Sequence, residues 1–505
     1  MNKKIFLTIF SLLFALSIFA QKSTIRGFIT DKNTSEPIMF CNVSIEGTSH
    51  GSQTDLNGMY TLSKVPVGNH TIVVTFVGYE KLTKNVSLKQ GQILTLKLEL
   101  KLSTVNLNEI EISAERQEMK TDVKAASIKI TNEDLKLVPT IGGEADLAQY
   151  MQIVPGVIFT GDQGGQLYIR GGSPVQNKVL MDGMTIYSPF HSIGLFSVFD
   201  ADIIKTTDVY TGGFSAEYGG RISSIMDIKI KDGNKKRVQG KMSSNTFGSK
   251  ILAEGPLKKG TGSFLLGGRA TYAHLFLPLF DLNNVAYFYD LNTKLSYKLD
   301  PKNNIYLSGY FGRDVFNVSD SFENTYGNTV LNFRWNHLFS DQLFSNLSLI
   351  YSDYYYGLNL NFVGFEWNSG IQNMNIKYDF KQYINDRYKL EYGLHSTYYS
   401  FNPGVISPNG PDSGINRKSL TNKFAFENAV YIDVNQQLTE LLALSYGVRL
   451  SSFLRLGQDK LNVYENDKAV GFNTDLQLYE KIDPIRSESG SQGKVEKSFM
   501  NLEPR

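Results

Sequence analysis

The sequence contains one cysteine, Cys41, so no disulfide within it and no cysteine-based metal cluster can form. Lys and Arg number 51 against 49 Asp and Glu, a net charge of +2 with no basic block, which excludes a built polyanion-binding surface and so nucleic acid as a partner. Histidines are few, at 50, 70, 191, 274, 337 and 395, and none falls in HExxH, HxxE or another paired-ligand spacing, so no metal site is expected. Neither a GxSxG elbow nor a GxxxxGK[ST] or strand–GxGxxG–helix phosphate cradle is present. These absences predict no catalytic residues, no cofactor and no enzyme. Beyond the first twenty residues no run approaches about 18 consecutive apolar residues, so a spanning helix is not expected.

Those first twenty residues, MNKKIFLTIFSLLFALSIFA, place two lysines before an apolar run and a small residue before Gln21, the pattern of a secretory signal peptide over residues 1–20. An exported chain can still enter a membrane as a β-barrel, whose alternating strands escape hydropathy scans. Aromatics at 12%, nearly all Tyr and Phe, and 44 glycines favour many strands with tight turns.

From 21 to 100 short alternating runs are separated by turn residues, which predicts a small β-sandwich. The series Gly27, Asp31, Pro37, Gly47-Thr48, Thr54-Asp55, Gly58, Tyr60, Gly68 and Gly78-Tyr79 resembles the carboxypeptidase-regulatory-like domain. In that family the module is an accessory, so the resemblance implies no peptidase activity. Asp55 and Asn57 before Gly58 read as a hairpin turn, because the alternating oxygen ligands of a calcium loop are missing. Cys41 is expected in a sandwich strand as a small buried apolar residue.

Residues 101–124 form a polar linker containing LNEIEISAER. Ile110 and Ile112 alternate with Glu109, Glu111 and Ser113, so Glu109 to Ala114 can act as an extended strand that pairs through its backbone, or as an ordinary linker strand. In context it resembles the TonB box, which implies strand addition to a TonB-type energy-transducing protein.

From 125 to 232 the texture becomes mixed α+β. Thr131 with Asp134 is a capping-box start for a helix that Pro139 ends, and Glu144 to Val154 offers a second helix before Pro155-Gly156. QLYIRGG and NKVLMDGMTIYSP are expected as two strands joined by a polar, glycine-rich turn. The ordered motifs VPGV (Val154 to Val157), YIRGG (Tyr168 to Gly172), VLMDGMTIY (Val179 to Tyr187) and GGFSAEYGGRISSIMDI (Gly212 to Ile228) resemble the plug domain of TonB-dependent receptors. Arg170, Glu217 and Arg221, charges amid small residues, are candidates for pairing with a polar barrel wall; for Arg170 a solvated or locally paired strand residue is the alternative.

After Asp232 strands follow one another. Tyr388, Leu390, Tyr392 and Leu394 alternate with Lys389, Glu391, Gly393 and His395, and Leu442 to Leu450 repeats the pattern: apolar on one side, polar on the other. Short turns at 257–262, 300–304, 340–342, 385–387 and 435–440 interleave with generally longer loops such as 402–420 and 458–497, as on the two edges of an outer-membrane barrel. The alternation predicts about eleven strands from Arg237 to Gly457 and a twelfth from Phe499. Plugged transporters of this kind use about 22. Residues 233–505 therefore read as roughly half of an antiparallel transmembrane barrel, and a sequence stopping at NLEPR as a truncated one.

The expectation is a mainly β receptor of the Gram-negative outer membrane, contacting lipid, with its N-terminal domain in the periplasm. The resemblance implies an imported extracellular ligand: siderophore, vitamin, glycan or peptide, with no ligand residues assignable. The alternatives are a surface binding or adhesion receptor without import, and a periplasmic peptidase-associated accessory protein.

Overall fold

The computed structural model describes residues 23–48, 51–55, 57–76, 78–103, 127–138, 144–160, 165–276, 284–318, 321–340, 342–385, 388–411, 413–439, 442–457, 460–489 and 493–505. The signal peptide and Pro139 lie outside the described residues. Among the described residues no helix is long and apolar enough to cross a membrane, which says nothing of a β-barrel. The chain divides into two compact units, the N-terminal sandwich and the plug with the barrel wall.

In the sandwich, strand Ser23–Asp31 alternates buried and half-buried residues, which puts Ile25 and Ile29 in the core. It pairs antiparallel with Met59–Val65 and parallel with Ile93–Leu100. The opposing sheet runs Gly51–Gln53, Asn42–Ile45, Gly68–Thr75, Leu82–Leu88. Ile25, Val43, Tyr60, Ile72, Val74 and Leu100 fill the space between the sheets. Cys41 is fully buried just before strand Asn42–Ile45 rather than within it, and burial pushes its thiol up, so it is held as a thiol. Asp55 Oδ1 accepts the N–H groups of Asn57 and Met59, both at 2.9 Å, the hydrogen bonds of a turn.

The plug is built on a five-stranded sheet in the order Met184–Thr185, Asn177–Met181, Ser224–Ile230, Ile204–Tyr210, Ser127–Thr131. Only the Asn177–Met181 and Ser224–Ile230 pair is parallel. Thr131 and Asp134 form the expected capping box for helix Asn132–Leu135. The second helix is shorter than its sequence pattern, Leu147–Met151. Asp146 is its N-cap, accepting the Ala148 N–H at 2.7 Å, which fixes the start and leaves Glu144 outside. YIRGG and VLMDGMTIY both supply strands, as expected, but the second motif breaks at Asp182 and Gly183 into Asn177–Met181 and Met184–Thr185, and the two motifs do not pair with each other. Leu167–Ile169 pairs with Val157–Phe159, while Asn177–Met181 joins the five-stranded sheet.

Beyond Asp232 twelve strands are hydrogen-bonded in chain order, from Gln239–Ser244 to Val495–Pro504, and the sheet does not close on itself. Eleven precede the long excursion at 457–494. The twelfth begins at Val495, four residues before the position that the alternation suggested. The tight connections follow strands ending at Lys258, Asp300, Leu338, Asn385 and Gln437, where the sequence placed them. The 458–497 segment is not a plain loop: it holds the pairs Lys460–Val463 with Arg486–Ser489 and Val470–Asn473 with Leu478–Lys481. In the 402–420 stretch the preceding strand runs on to Pro408, and Lys418–Ser419 pairs back onto it.

Alternation divides the wall into two surfaces. Phe311, Leu331, Leu349, Met374, Leu394 and Leu450 are exposed on one face. Tyr310, Asn332, Ile350, Asn373, His395 and Arg449 are buried on the other, against the plug side. The apolar core of the plug continues onto this inner face through Leu252, Leu265, Tyr310, Val330 and Ile350.

Candidate functional site: the seam between plug and barrel

One set of seam contacts comes from the VLMDGMTIY motif. Strand Asn177–Met181 turns through Asp182 and Gly183, both with positive φ, into Met184–Thr185, a tight hairpin that glycine allows. The turn aims Asp182 at the barrel. Its Oδ1 accepts the Ile230 N–H at 3.0 Å, while Oδ2 meets Ser308 Oγ at 2.9 Å and Lys294 Nζ at 3.0 Å. Lys294 also lies 3.2 Å from Asp232 and donates to the Ile230 carbonyl at 2.6 Å. Burial alone would raise the Asp182 carboxyl, but Lys294, with Arg334 behind it, holds it below the usual range. Asn332 Nδ2 donates to the Asp182 carbonyl at 2.8 Å.

Beyond the turn, Asn328 accepts the Tyr187 N–H at 3.1 Å and donates to the Ser188 carbonyl at 2.9 Å, and Asn373 donates to Tyr187 Oη at 2.7 Å. His191 is 1% exposed. Its Nδ1 is 2.6 Å from Asp314 Oδ2 and its Nε2 3.1 Å from Asp290 Oδ2. Arg269 binds Asp290 as well and donates to the Ser197 carbonyl of the plug at 3.0 Å. Farther along, Lys250 lies within 3.5 Å of Glu144, Asp200 and Asp202.

The EYGGR motif makes a second dock. Arg449 Nη1 donates to the carbonyls of Ala216 at 3.0 Å and Glu217 at 2.9 Å, and the Glu217 N–H donates to Asp433 at 3.3 Å. Gly219 permits this approach: a Cβ there would overlap the Arg449 guanidinium.

Of the sequence candidates, Glu217 reaches the wall through its backbone. Its carboxyl is half-buried and pushed up to about 8, by burial first and then by Asp379 and Glu391. Arg221 donates to the Gly220 carbonyl at 2.7 Å, within the plug. Arg170 is exposed, its guanidinium beside Gly212 of the plug, and among the described residues no barrel carboxylate pairs with it. Glu109 to Ala114 lie outside the described residues. Asp182 and His191, two buried seam residues, were not singled out for the seam by the sequence.

Residues 120–224 match the TonB-dependent Receptor Plug Domain family and residues 25–112 the CarboxypepD_reg-like domain family. The domain seated on the wall is a TonB-dependent receptor plug. The chain is 29% identical over 243 residues to the TonB-dependent receptor SusC of Bacteroides thetaiotaomicron, covering 46% of this chain and 23% of that protein. With the TonB-dependent transporter Oar of Myxococcus xanthus it shares 21% over 237 residues, 44% of this chain and 22% of the other. The matches thus span about a quarter of the curated relatives' length.

The fold resembles the siderophore receptor PirA from Acinetobacter baumannii (TM-score 0.52, 16% identity, 68% of this chain and 62% of that one). It also resembles the copper transporter OprC (TM-score 0.54, 10% identity, 75% and 61%). TonB-dependent receptors and transporters form an outer-membrane family whose members are not enzymes.

Proposed function

We propose that the intact protein is an outer-membrane receptor that binds an extracellular ligand and imports it when a TonB-type protein, pairing with Glu109 to Ala114 as an added strand, pulls on the plug. The N-terminal sandwich would lie in the periplasm and the exposed apolar face of the wall in lipid. The observation that carries this reading is the way the VLMDGMTIY turn and the segment after it are held: by discrete polar bonds through Asp182, Tyr187 and His191. Such bonds can be exchanged for water when the plug shifts, each at a net cost of about 0.5–1.5 kcal/mol, or about 1.5–3 where a charge takes part. A strand of about six residues making three to six backbone bonds gives a reversible grip of matching scale.

Ligand binding must favour one plug state over the other for coupling to arise. The ligand class stays that of the resemblance: siderophore, vitamin, glycan or peptide. PirA is described as a siderophore receptor and OprC as a copper transporter, so neighbours in fold differ in cargo. Deleting Glu109 to Ala114 in the full-length protein should abolish energised uptake while surface binding persists. Uptake at the parent rate would overturn the reading of energised import through this segment.

A further inference from the structure

We infer that His191 is the proton-dependent positioning residue of the plug, an imidazolium clamped between two barrel carboxylates that holds the plug on the wall and loosens it when the proton leaves. The inference needs only the seam, not the import reading.

Three observations support it. The first is stereochemical. Both ring nitrogens face carboxylate oxygens, Nδ1 toward Asp314 at 2.6 Å and Nε2 toward Asp290 at 3.1 Å. A neutral imidazole has one N–H, so one nitrogen would turn its lone pair on an anion; an imidazolium donates to both. Tyr310 Oη, 3.2 Å from Nε2, is the one hydroxyl among the described neighbours able to donate there after deprotonation, which names a second, weaker state.

The second is the charge balance. Around the ring stand Asp290, Asp314 and the Arg269 guanidinium, which is bound to Asp290. Two carboxylates against one guanidinium leave one negative charge in a site with almost no water, and a protonated ring cancels it. From the plug side Asp146 and Asp200 also feel Arg269. Lys250 pairs with Asp200 at 3.2 Å while sharing its charge with Glu144 and Asp202, and the Asp146 oxygens take hydrogen bonds from Ala148 and Ser197. Asp314 accepts in addition the Ser192 N–H at 2.8 Å, which ties the backbone beside the ring to the same anion.

The third is the face of the ring. His191 stacks on Phe288 with centroids 4.1 Å apart and planes within 6°, a favourable place for a cation over an aromatic quadrupole. Burial would push the imidazole down, but the Asp314 charge and the hydrogen bonds to both carboxylates outweigh it and hold the ring above its ordinary value. With the seated value raised, the clamp is fully present below the free-imidazole pKa of about 6.5 and is lost as pH rises through the seated value.

The test uses the full-length receptor in outer-membrane vesicles, without ligand or TonB, so that its failure leaves the import reading untouched. Val198, 1% exposed and close in sequence to His191, is replaced by Cys in a Cys41→Ser background otherwise free of cysteine. Thiol labelling is followed from about pH 5.5 to about 9, each rate divided by that of the same thiol in the unfolded protein. In the parent, the His191 share of normalised labelling, read as the difference from His191→Gln, should be flat at low pH, then rise about tenfold per pH unit until the seated value is passed. His191→Gln should label faster at low pH and lose one proton's share of that rise; comparing the two cancels Glu217, which titrates elsewhere on the plug. An unchanged rise in His191→Gln overturns the proposal, as does a parent with none. Should His191→Gln fail to assemble, Asp314→Asn gives the decision: the rise must still begin near the free-imidazole value but level off at lower pH, and a levelling-off point unmoved overturns the clamp.

Discussion

Asp182 of the plug and Lys294 of the barrel wall lie 3.0 Å apart with side chains 2% and 4% exposed, a buried ion pair across the seam. Lys294 also lies 3.2 Å from Asp232, which Lys235 meets at 3.6 Å, so one ammonium bridges two plug carboxylates and the second shares Asp232. Removing Lys294 leaves Asp182 without an ammonium partner and Asp232 with Lys235. Lys294→Met is expected to weaken plug seating by about 3–5 kcal/mol, read as protease sensitivity of the plug in assembled receptor. Adding Asp182→Asn should recover only part of the loss, because Asp232 remains; full recovery would show that Asp232 finds its own compensation.

The same pair sets an acid limit. The Asp182 carboxyl is held below its free value, so its contribution to seating is present above about pH 3.9 and lost as pH falls through the seated value. The Asp182 share of seating, read downward from about pH 6 as the difference between the parent and Asp182→Asn, should therefore hold until near pH 4 and then fall.

Close approach at the second dock makes a steric prediction. A side chain at Gly219 would collide with Arg449, whose guanidinium holds the Ala216 and Glu217 carbonyls. Gly219→Val should cost about 1–3 kcal/mol of seating through overpacking alone. Arg449→Ala, by leaving the carbonyls to water, should relieve part of that cost in the double variant; strict additivity would mean that the two do not meet in solution.

How much of this could be read beforehand depends on sequence separation. Alternation is local, so Leu394 against His395 and Leu450 against Arg449 were sorted correctly onto outer and inner faces. The capping box at Thr131 needs only three residues and was legible too. Strand partners within the plug were not, because Leu167–Ile169 and Asn177–Met181 look like neighbours until Val157–Phe159 and Ser224–Ile230 claim them. His191 was invisible as a seam residue: its partners stand 99 and 123 positions away, and no spacing rule reaches that far. Asp182 sat in a quoted motif whose glycine turn was legible, while the lysine it faces was one of many.

In the sandwich, Thr54 is a buried cross-brace. Its hydroxyl accepts the Cys41 N–H at 2.8 Å and donates to the Ile38 carbonyl at 2.7 Å. Thr54→Val keeps the volume and leaves both groups unsatisfied, a loss of about 1–3 kcal/mol. Cys41 is the built-in reporter: its thiol is buried, so labelling in the native protein requires the sandwich to open. The variant's labelling rate should rise by about tenfold or more at fixed pH, and an unchanged rate would show that opening elsewhere exposes the thiol.

Glu217 supplies the alkaline counterpart to Asp182. Its carboxyl is pushed up to about 8 by burial and by the facing Asp379 and Glu391, while the free value is about 4.3. A raised seated value means that the contribution to seating is complete below the free value and is lost as pH rises through about 8. Ionised Glu217 thus works against the seat, while its backbone, bound by Arg449 and Asp433, works for it. Glu217→Gln keeps the backbone bonds and abolishes the titration. The variant should match the parent near pH 4 and hold its plug more tightly near pH 9, by protease sensitivity of assembled receptor. Equal seating at both ends would mean that the Glu217 carboxylate reaches water when ionised, so that only its main chain belongs to the dock.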